Sequence, residues 1–454
     1  MHLTMMHMGI IIATLVCVIG IGIYSSRSVR SAAGYSVGGR SAGAPLVAGS
    51  IAGTVVGGGA TVGTAQLAYH FGLSAWWFTL GSGIAFIVMG LFYAKKMRGT
   101  GLETIPQFLA MHYGKKAEEL SSVISSIGIL FSAVASCLPG IEIVAEVFHV
   151  DAYTASALLV LLVAAYTFFG GMKSAGIGGM LKMGIIWVAL FIAGWEAFQA
   201  VHETAAWSQF PAAQFSLFGR GVEPALANLF SVLVGVLCTQ TYIQCIFSAD
   251  TPSTASAGCF LAAAIVIPVG LPSVAVGLYM ETLYPDIQPI MVLPTYLINE
   301  VHPLLGGLAM GGIILSLIGG IGGLTLGIGT MITRDMIVPL CRMTDDRKML
   351  TVNQLTVLLV MLLACFIAIL NRGSEGVFWT DISMALRRGG IFLPLTLAVF
   401  WPGHVKRGWA VLSMLGSTAA ALLTATVVKL TIDPLFVGLI VSALLLLPGI
   451  RMKK

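Results

Sequence analysis

The sequence predicts an all-α polytopic membrane protein. Of its 454 residues, 57% are hydrophobic and 9% are charged, whereas about 25% of the residues in a soluble globular protein are charged. Apolar stretches of about 20 residues, the length that crosses a bilayer, recur along the whole chain. We therefore expect one transmembrane domain, residues 1–454, and no large water-soluble domain.

About thirteen stretches are long and apolar enough to be transmembrane helices, at residues 5–24, 44–68, 73–94, 120–148, 152–169, 176–198, 226–248, 256–280, 304–331, 352–370, 377–401, 408–429 and 432–449. The first is followed by Arg27 and Arg30 without a recognisable cleavage site, so we interpret it as a span and not as a signal peptide. Residues 1–43 then form the first span and a linker, and residues 402–454 contain the last two spans.

The loops between these spans differ in charge from one side to the other. One side has Arg220, Arg372 and Lys429, while the other has Arg27, Arg30, Arg40, Lys95, Lys96, Arg98, Lys115, Lys116, Lys173, Arg334, Arg342, Arg347, Lys348, Lys406, Arg407, Arg451, Lys453 and Lys454. Basic loops stay in the cytoplasm. We therefore expect a multi-pass protein of the cytoplasmic (inner) membrane, with its N-terminus outside and its C-terminus cytoplasmic. This charge pattern reports topology and not nucleic-acid binding.

Enzymatic chemistry has no visible basis in the sequence. The seven cysteines form no CxxC pair and no cluster with histidine, so we expect neither a metal site nor a cofactor. The stretch GGGATVG lacks the GK[ST] ending of a phosphate loop. A clustered nucleophile and base is also missing, and no soluble output domain of a sensor interrupts the apolar spans.

Two predicted spans contain unusual interruptions. Gly57, Gly58 and Gly59 lie in the middle of the second span, and in the seventh span Gly235 precedes Thr239, Gln240 and Thr241. Glycines in a membrane helix allow close packing of neighbours. Alternatively, they mark an unwound segment that presents backbone groups to a solute. Paired interruptions in corresponding positions of two halves favour the second interpretation and indicate a transporter.

Several motifs resemble one transporter family. They are SVGGRSAGAP (36–45), ETIPQFLAMHYG (103–114), AYTFFGGMKSA (165–175), TRDM (333–336) and FWPG (400–403). Together they are similar to the sodium/solute symporter family, which includes proline, sugar, sialic acid and pantothenate carriers. The resemblance implies a leucine-transporter-type five-plus-five inverted repeat, with ten core helices within residues 44–401, and transport by alternating access.

The chain departs from this family at its sodium site. The resemblance places that site between carbonyls at Gly53 and Val56 and side-chain oxygens on other spans. The family's acidic residue falls on Gly179, its glutamine on Lys182, and its serine–threonine pair on Gly319 and Gly320. Sodium is a hard cation that prefers oxygen ligands. The sequence therefore resembles a divergent family member with weak or no sodium binding.

Lys182 has two interpretations. It lies three residues after Gly179 and shares a helix face with it, so its ammonium could reach the carbonyls of Gly53 and Val56 and stand in for the sodium ion. The glycines of the ninth span, Gly319, Gly320 and Gly323, would leave room for it. Because a buried ammonium can lose and regain a proton, H⁺ coupling is one version of this hypothesis. Alternatively, the side chain extends to the cytoplasmic surface.

The expected solute site is sparsely polar. Its predicted members are Gly57, Ala60, Thr61, Trp77, Ser132, Ser136, Glu142, Gly235, Gln240 and Arg387. Trp77 is either a pocket wall or an interface anchor, and Glu142 either lines a vestibule or carries a proton. Arg387 and Arg388 must pair or face water in mid-membrane. They pair with Asp381 or Glu142, or they contact an anionic solute.

These features predict a secondary transporter or facilitator of a small organic solute, with a carboxylate as one candidate class. The first expectation is sodium independence, with Lys182 as the ion surrogate. The alternative is a conventional sodium symporter with a rearranged site. The ninth span retains Ser316, Thr325 and Thr330, although these hydroxyls lie out of register with the family's pair.

Overall fold

The computed structural model describes residues 3–27, 29–203, 210–372, 376–428 and 433–450, without the side chains at 25, 376–378, 381, 384, 385 and 388. The first half comprises α1 (Met5–Ser26), α2 (Ala32–Val37), α3 (Ala44–Val55), α4 (Thr64–Phe71), α5 (Trp77–Val88), α6 (Ala94–Arg98), α7 (Ile105–Tyr113), α8 (Lys115–Phe148), α9 (Ala152–Thr167) and α10 (Gly171–Glu203). The second half comprises α11 (Val222–Leu237), α12 (Gln240–Phe247), α13 (Pro252–Leu283), α14 (Val292–Asn299), α15 (Pro303–Met331), α16 (Val338–Leu340), α17 (Asp346–Leu370), α18 (Gly376–Phe400), α19 (Arg407–Thr426) and α20 (Pro434–Leu446).

Each of the thirteen predicted spans is helical over most of its described residues. By length and composition, eight helices in the described part of the chain are long and apolar enough to cross a membrane, or nine if α11 and α12 form one bent span. Shorter apolar helices include α3 and α9. The chain is thus an all-α multi-pass membrane protein, while the count of thirteen spans stays a prediction.

Both predicted interruptions are breaks in helices. The α3 helix ends at Val55, Val56 has the non-helical angles φ −79° and ψ 67°, and a π-helical turn begins at Gly59. The α11 and α12 helices meet at 47° across Cys238 and Thr239. Glycine at position 58 also serves packing, since a Cβ there would lie 2.6 Å from the side chain of Leu317. Unwinding and close packing therefore occur together.

Two packing features position the ion-site region. The α10 helix lies along both α3 and α15, and at its contact with α3 the backbones of Gly53 and Gly179 meet, because a Cβ on Gly53 would lie 2.6 Å from the Cα of Gly179. The α15 helix is buried along almost its whole length. This central helix and the glycine contact bring three helices to one point, where Lys182 lies.

The end of the bundle that carries Lys95, Lys96, Arg98, Lys115 and Arg334 is called the basic end here. The Glu103 carboxylate accepts two hydrogen bonds from the Arg334 guanidinium, at 2.8 and 2.5 Å. The Gln240 side chain donates to the Glu103 carbonyl at 3.0 Å. These bonds join α12 and the π-helical turn that follows α15 to the segment before α7, and they hold the basic end together.

Candidate functional site

Lys182 lies on α10 with a fully buried side chain. Its ammonium donates hydrogen bonds to the carbonyls of Gly53, at 2.5 Å, and Val56, at 3.0 Å. The last carbonyls of a helix have no partners within it and carry the negative end of its dipole. The break after α3 therefore presents acceptors that suit a cation. These are the two carbonyls expected from the sequence, and the side chain does not extend to the surface.

The glycines around the ammonium have different roles. A Cβ on Gly319 would lie 3.0 Å from the lysine nitrogen and 3.1 Å from the Gly53 carbonyl oxygen, so Gly319 supplies the room for Lys182. A Cβ on Gly179 would overlap the Gly49 carbonyl oxygen, which leaves no space for an acidic side chain. Gly320 faces Gly57, and Gly323 packs against Thr54. Of the three glycines of the ninth span that were expected to leave room for the lysine, Gly319 lies against the ammonium.

Ser316 is a site residue that the family's motif placed out of register. Its hydroxyl donates a hydrogen bond to the Val56 carbonyl, which also accepts from Lys182. Ser316 precedes Gly319 by three residues and therefore shares its helix face, a spacing that is visible in the sequence. Thr325 instead donates to the Gly322 carbonyl, and Thr330 accepts from Gln244.

These contacts form a compact ion-site region. The Gly53 and Val56 carbonyls accept from the Lys182 ammonium, and the Ser316 hydroxyl donates to the second of them. An inorganic cation could use the Gly53 and Val56 carbonyls only after the ammonium had left them. The hydrogen bonds of Lys182 therefore tie α10 to the broken end of α3.

A neighbouring cavity of about 200 Å³ brings together five of the predicted solute-site residues, Gly57, Ser132, Ser136, Gly235 and Arg387. Both helix breaks contribute to its wall. Sequence reasoning missed Phe78, Ser82, Pro139 and Tyr242, and it named Thr239 without assigning it to the site. The aromatic and proline residues have no polar signature that would distinguish them from ordinary packing residues of a membrane helix.

Arg387 places its guanidinium in the wall of this cavity and is 3% exposed. It donates hydrogen bonds to the hydroxyls of Thr239 at 2.8 Å, Ser132 at 2.6 Å and Ser383 at 2.8 Å. Glu142, one of the two partners considered for Arg387 and Arg388, accepts a hydrogen bond from Arg372 at 2.9 Å. The side chains of Asp381 and Arg388 lie outside the described residues.

Five predicted solute-site residues do not line this cavity, namely Ala60, Thr61, Trp77, Gln240 and Glu142. Ala60 is buried, and the Thr61 hydroxyl bonds to the Gly57 carbonyl at 3.1 Å, because the π-helical turn directs it back along its own segment. The Trp77 indole donates to the Leu217 carbonyl at 2.7 Å. Gln240 lies beyond the break, where its side chain accepts from the Ile105 amide at 2.8 Å.

A second cavity of about 410 Å³ adjoins the first, and the two share the lining residues Gly58, Gly59, Phe78, Ala135, Pro139 and Thr380. Glu142 and Arg372 line it together with Gln66 and Asn228. Glu142 lies near the end of α8 farthest from Lys115, so this cavity extends toward the end of the bundle opposite the basic end. Glu142 thus lines a vestibule and not the central cavity.

Comparison with known proteins matches these features to one family. The family model described as the sodium:solute symporter family matches residues 35–416. Over 251 residues the chain is 26% identical to the human high affinity choline transporter 1, covering 53% of this chain and 43% of that protein. Over 411 residues it is 24% identical to a sodium/proline symporter of Staphylococcus aureus, covering 82% and 77%. The chain spans 43% of the human choline transporter and 62% of the one from Torpedo marmorata.

Solved structures agree on the fold. A substrate-bound, outward-open Na⁺-coupled sialic acid symporter superposes with a TM-score of 0.79 at 15% identity, over 98% of this chain and 97% of that one. Mhp1, a nucleobase-cation-symport-1 family transporter in a closed conformation, gives a TM-score of 0.53 at 14% identity over 91% and 93%. These proteins share the leucine-transporter-type inverted repeat. The chain belongs to the sodium:solute symporter family, a family of transporters and not of enzymes.

Proposed function

We propose that this protein is a secondary transporter or facilitator of a small organic solute that works without sodium, because the Lys182 ammonium stands where a cation would bind. The observation that carries the proposal is the pair of hydrogen bonds from this ammonium to the Gly53 and Val56 carbonyls. In the orientation that the loop charges favour, the basic end faces the cytoplasm of the inner membrane.

Alternating access would move the halves of the bundle around the breaks in α3 and between α11 and α12. In this scheme, Lys182 holds α10 against α3 while the basic end is closed. Burial disfavours the charged form of a lysine, so proton release would take place from the buried site. The neutral amine would bind the carbonyls less strongly, and exposure to water during opening would return the proton. Proton coupling follows if release and return occur on different sides of the membrane. A permanently charged lysine makes the protein a facilitator.

The lining of the central cavity, the one that contains Arg387, favours a small solute with an anionic group. Its volume of about 200 Å³ suits a compact molecule, and the charged residue among its described lining residues is Arg387. A planar guanidinium recognises a carboxylate through parallel hydrogen bonds, and the Thr239 and Ser132 hydroxyls lie beside it. Phe78 and Tyr242 supply aromatic walls. Among the relatives' solutes, proline and sialic acid carry a carboxylate, whereas choline is a cation.

The alternative is sodium coupling through a rearranged site. The Ser316 hydroxyl at the Val56 carbonyl favours it, since the two oxygens lie where a hard cation would find ligands. The names of the relatives also mention sodium. In this scheme, Lys182 leaves the carbonyls in the sodium-bound state.

A thermal-shift screen of the purified full-length protein tests the proposal. Small carboxylates, amino acids and quaternary amines are added in sodium or potassium buffer of equal ionic strength, since a ligand of the folded state raises the melting temperature. We expect a carboxylate to do so equally in both buffers. Arg387→Gln should abolish the shift, and Arg387→Lys should reduce it. A shift that requires sodium supports the rearranged site, and a shift by quaternary amines alone contradicts the anionic solute.

A further inference from the structure

Asp335 is a buried carboxyl that the transport cycle proposed above does not use. It lies in the π-helical turn Ile332–Ile337 that follows α15 at the basic end, and it is 1% exposed. Its Oδ1 accepts hydrogen bonds from the Thr104 hydroxyl at 2.9 Å and from the Gln107 amide at 3.0 Å. Its Oδ2 is buried and has no hydrogen-bond partner among the described residues.

The charged groups around Asp335 are engaged with one another. On its own helix, Arg334 binds the Glu103 carboxylate through two nitrogens. On α8, Lys115 pairs with Glu118 at 3.0 Å. The negative charge of Glu118 disfavours ionisation of Asp335, whereas the positive charge of Lys115 favours it. Two further elements pack near the turn that contains Asp335. The α7 helix carries His112, and at the start of α17 the Asp346 carboxylate accepts hydrogen bonds from the Ala32 amide.

We propose that Asp335 is a proton-binding site and that its carboxyl is protonated in this closed form of the protein. An ionised carboxylate would leave one of its oxygens buried without a donor, which is strongly unfavourable. A neutral carboxyl requires no counter-ion. Its carbonyl oxygen accepts the two hydrogen bonds seen at Oδ1, and the proton is on Oδ2, the oxygen without a donor.

Asp335 and its two hydrogen-bond donors lie on different segments of the basic end, so opening of this end would change whether Asp335 keeps its proton. Its two donors, Thr104 and Gln107, belong to the start of α7, whereas Asp335 follows α15. Any movement that parts these segments admits water to the carboxyl, where an aspartic acid ionises at neutral pH. The closed form therefore binds one more proton than the open form. Acid pH therefore stabilises closure of the basic end. This stabilisation is lost as the pH rises through the value at which the closed form releases the proton.

Infrared spectroscopy of the full-length protein in detergent tests the site without knowledge of the solute. A protonated carboxyl has a C=O stretching band that shifts to lower frequency in heavy water, and a carboxylate lacks it. At neutral pH we expect such a band in the wild-type protein and in Glu118→Gln, and its loss in Asp335→Asn. A folded Asp335→Asn protein that keeps every carboxyl band of the wild type would overturn the proposal.

A second variant keeps the test decisive if Asp335→Asn does not fold. Gln107→Met removes one donor from Oδ1 and leaves the carboxyl in place. We expect the assigned band to keep its intensity and move to higher frequency, because its C=O group accepts one hydrogen bond fewer. An unchanged spectrum in Gln107→Met, or the absence of any protonated-carboxyl band in the wild type, contradicts a proton on Asp335.

Discussion

At the scale of single residues, the ion-site region depends on what a lysine costs inside a membrane protein. An unpartnered ammonium in an apolar environment is strongly unfavourable, so the position of Lys182 within an apolar span predicts a partner for it. The spacing from Gly179 and the family's motif place that partner at the Gly53 and Val56 carbonyls, where the ammonium lies. Ser316 was named from the sequence as a hydroxyl that a rearranged sodium site could use, but out of register with the family's pair, because a motif reports positions and not helix faces.

Substitution of Lys182 tests its contacts directly. Lys182→Met preserves most of the stem but leaves the Gly53 carbonyl without the donor seen here, and unsatisfied buried groups cost about 1–3 kcal/mol. Lys182→Arg places a larger, planar guanidinium beside Gly319, and overpacking a buried site costs about 1–3 kcal/mol of stability. We expect both variants to unfold at lower denaturant concentration than the wild type.

Lys173→Met on the same helix is the matched control, because that side chain is half-buried near the basic end, and it should have the smaller effect. A Lys182→Met protein as stable as the wild type would show that the ammonium does not hold α10 to α3.

At the scale of elements, helix positions followed from composition, whereas the orientation of several side chains did not. The apolar spans and both breaks were predictable, since span length and glycine runs are local properties. Gln240 and Thr61 were predicted at the solute site but point elsewhere. The bend at Cys238 and Thr239 and the π-helical turn at Gly59 rotate the residues that follow them, and neither rotation can be derived from a pattern of 3.6 residues per turn.

The glycine contact between α3 and α10 is testable with a pair of alanine substitutions on one helix. A Cβ on Gly179 would overlap the Gly49 carbonyl oxygen, whereas nothing lies within 4 Å of a Cβ on Gly184. Gly179→Ala should force the helices apart and lower stability by at least about 1–3 kcal/mol. Gly184→Ala should raise stability by up to about 1 kcal/mol, because alanine favours the helix. Equal effects of the two substitutions in a denaturation experiment would contradict the close contact.

At the scale of the whole molecule, the described residues form a bundle that is joined at its basic end and has a vestibule toward the other end. The Glu103–Arg334 pair and the Gln240 bond connect α12, the π-helical turn after α15 and the segment before α7. The charge asymmetry of the loops was visible in the sequence. The network was not, because it joins residues more than 100 positions apart and none of its members is unusual by itself.

Loss of the Glu103 charge should favour opening of the basic end. A hydrogen bond to a charged group contributes about 1.5–3 kcal/mol, and 1.4 kcal/mol changes an equilibrium about tenfold. Cys245 on α12 is 1% exposed and serves as the reporter after the exposed Cys17 and Cys341 are replaced by serine. We expect Glu103→Gln to increase maleimide labelling of Cys245 about tenfold or more, as measured by mass spectrometry.

The exposed Glu119 on α8 provides the control for this experiment, since Glu119→Gln removes the same charge away from the network. Labelling that rises equally in both variants would assign the effect to net charge and not to the Glu103–Arg334 pair.

In the proposed mechanism, the Lys182 ammonium occupies the position of a transported or bound sodium ion. Equilibrium binding of radiolabelled sodium to the purified protein in potassium buffer tests it most directly and needs no knowledge of the solute. The wild-type protein should show no saturable sodium binding, and Lys182→Ala should gain weak binding because the Gly53, Val56 and Ser316 oxygens become accessible. Saturable sodium binding by the wild-type protein that Ser316→Ala weakens would contradict the claim and establish the rearranged sodium site.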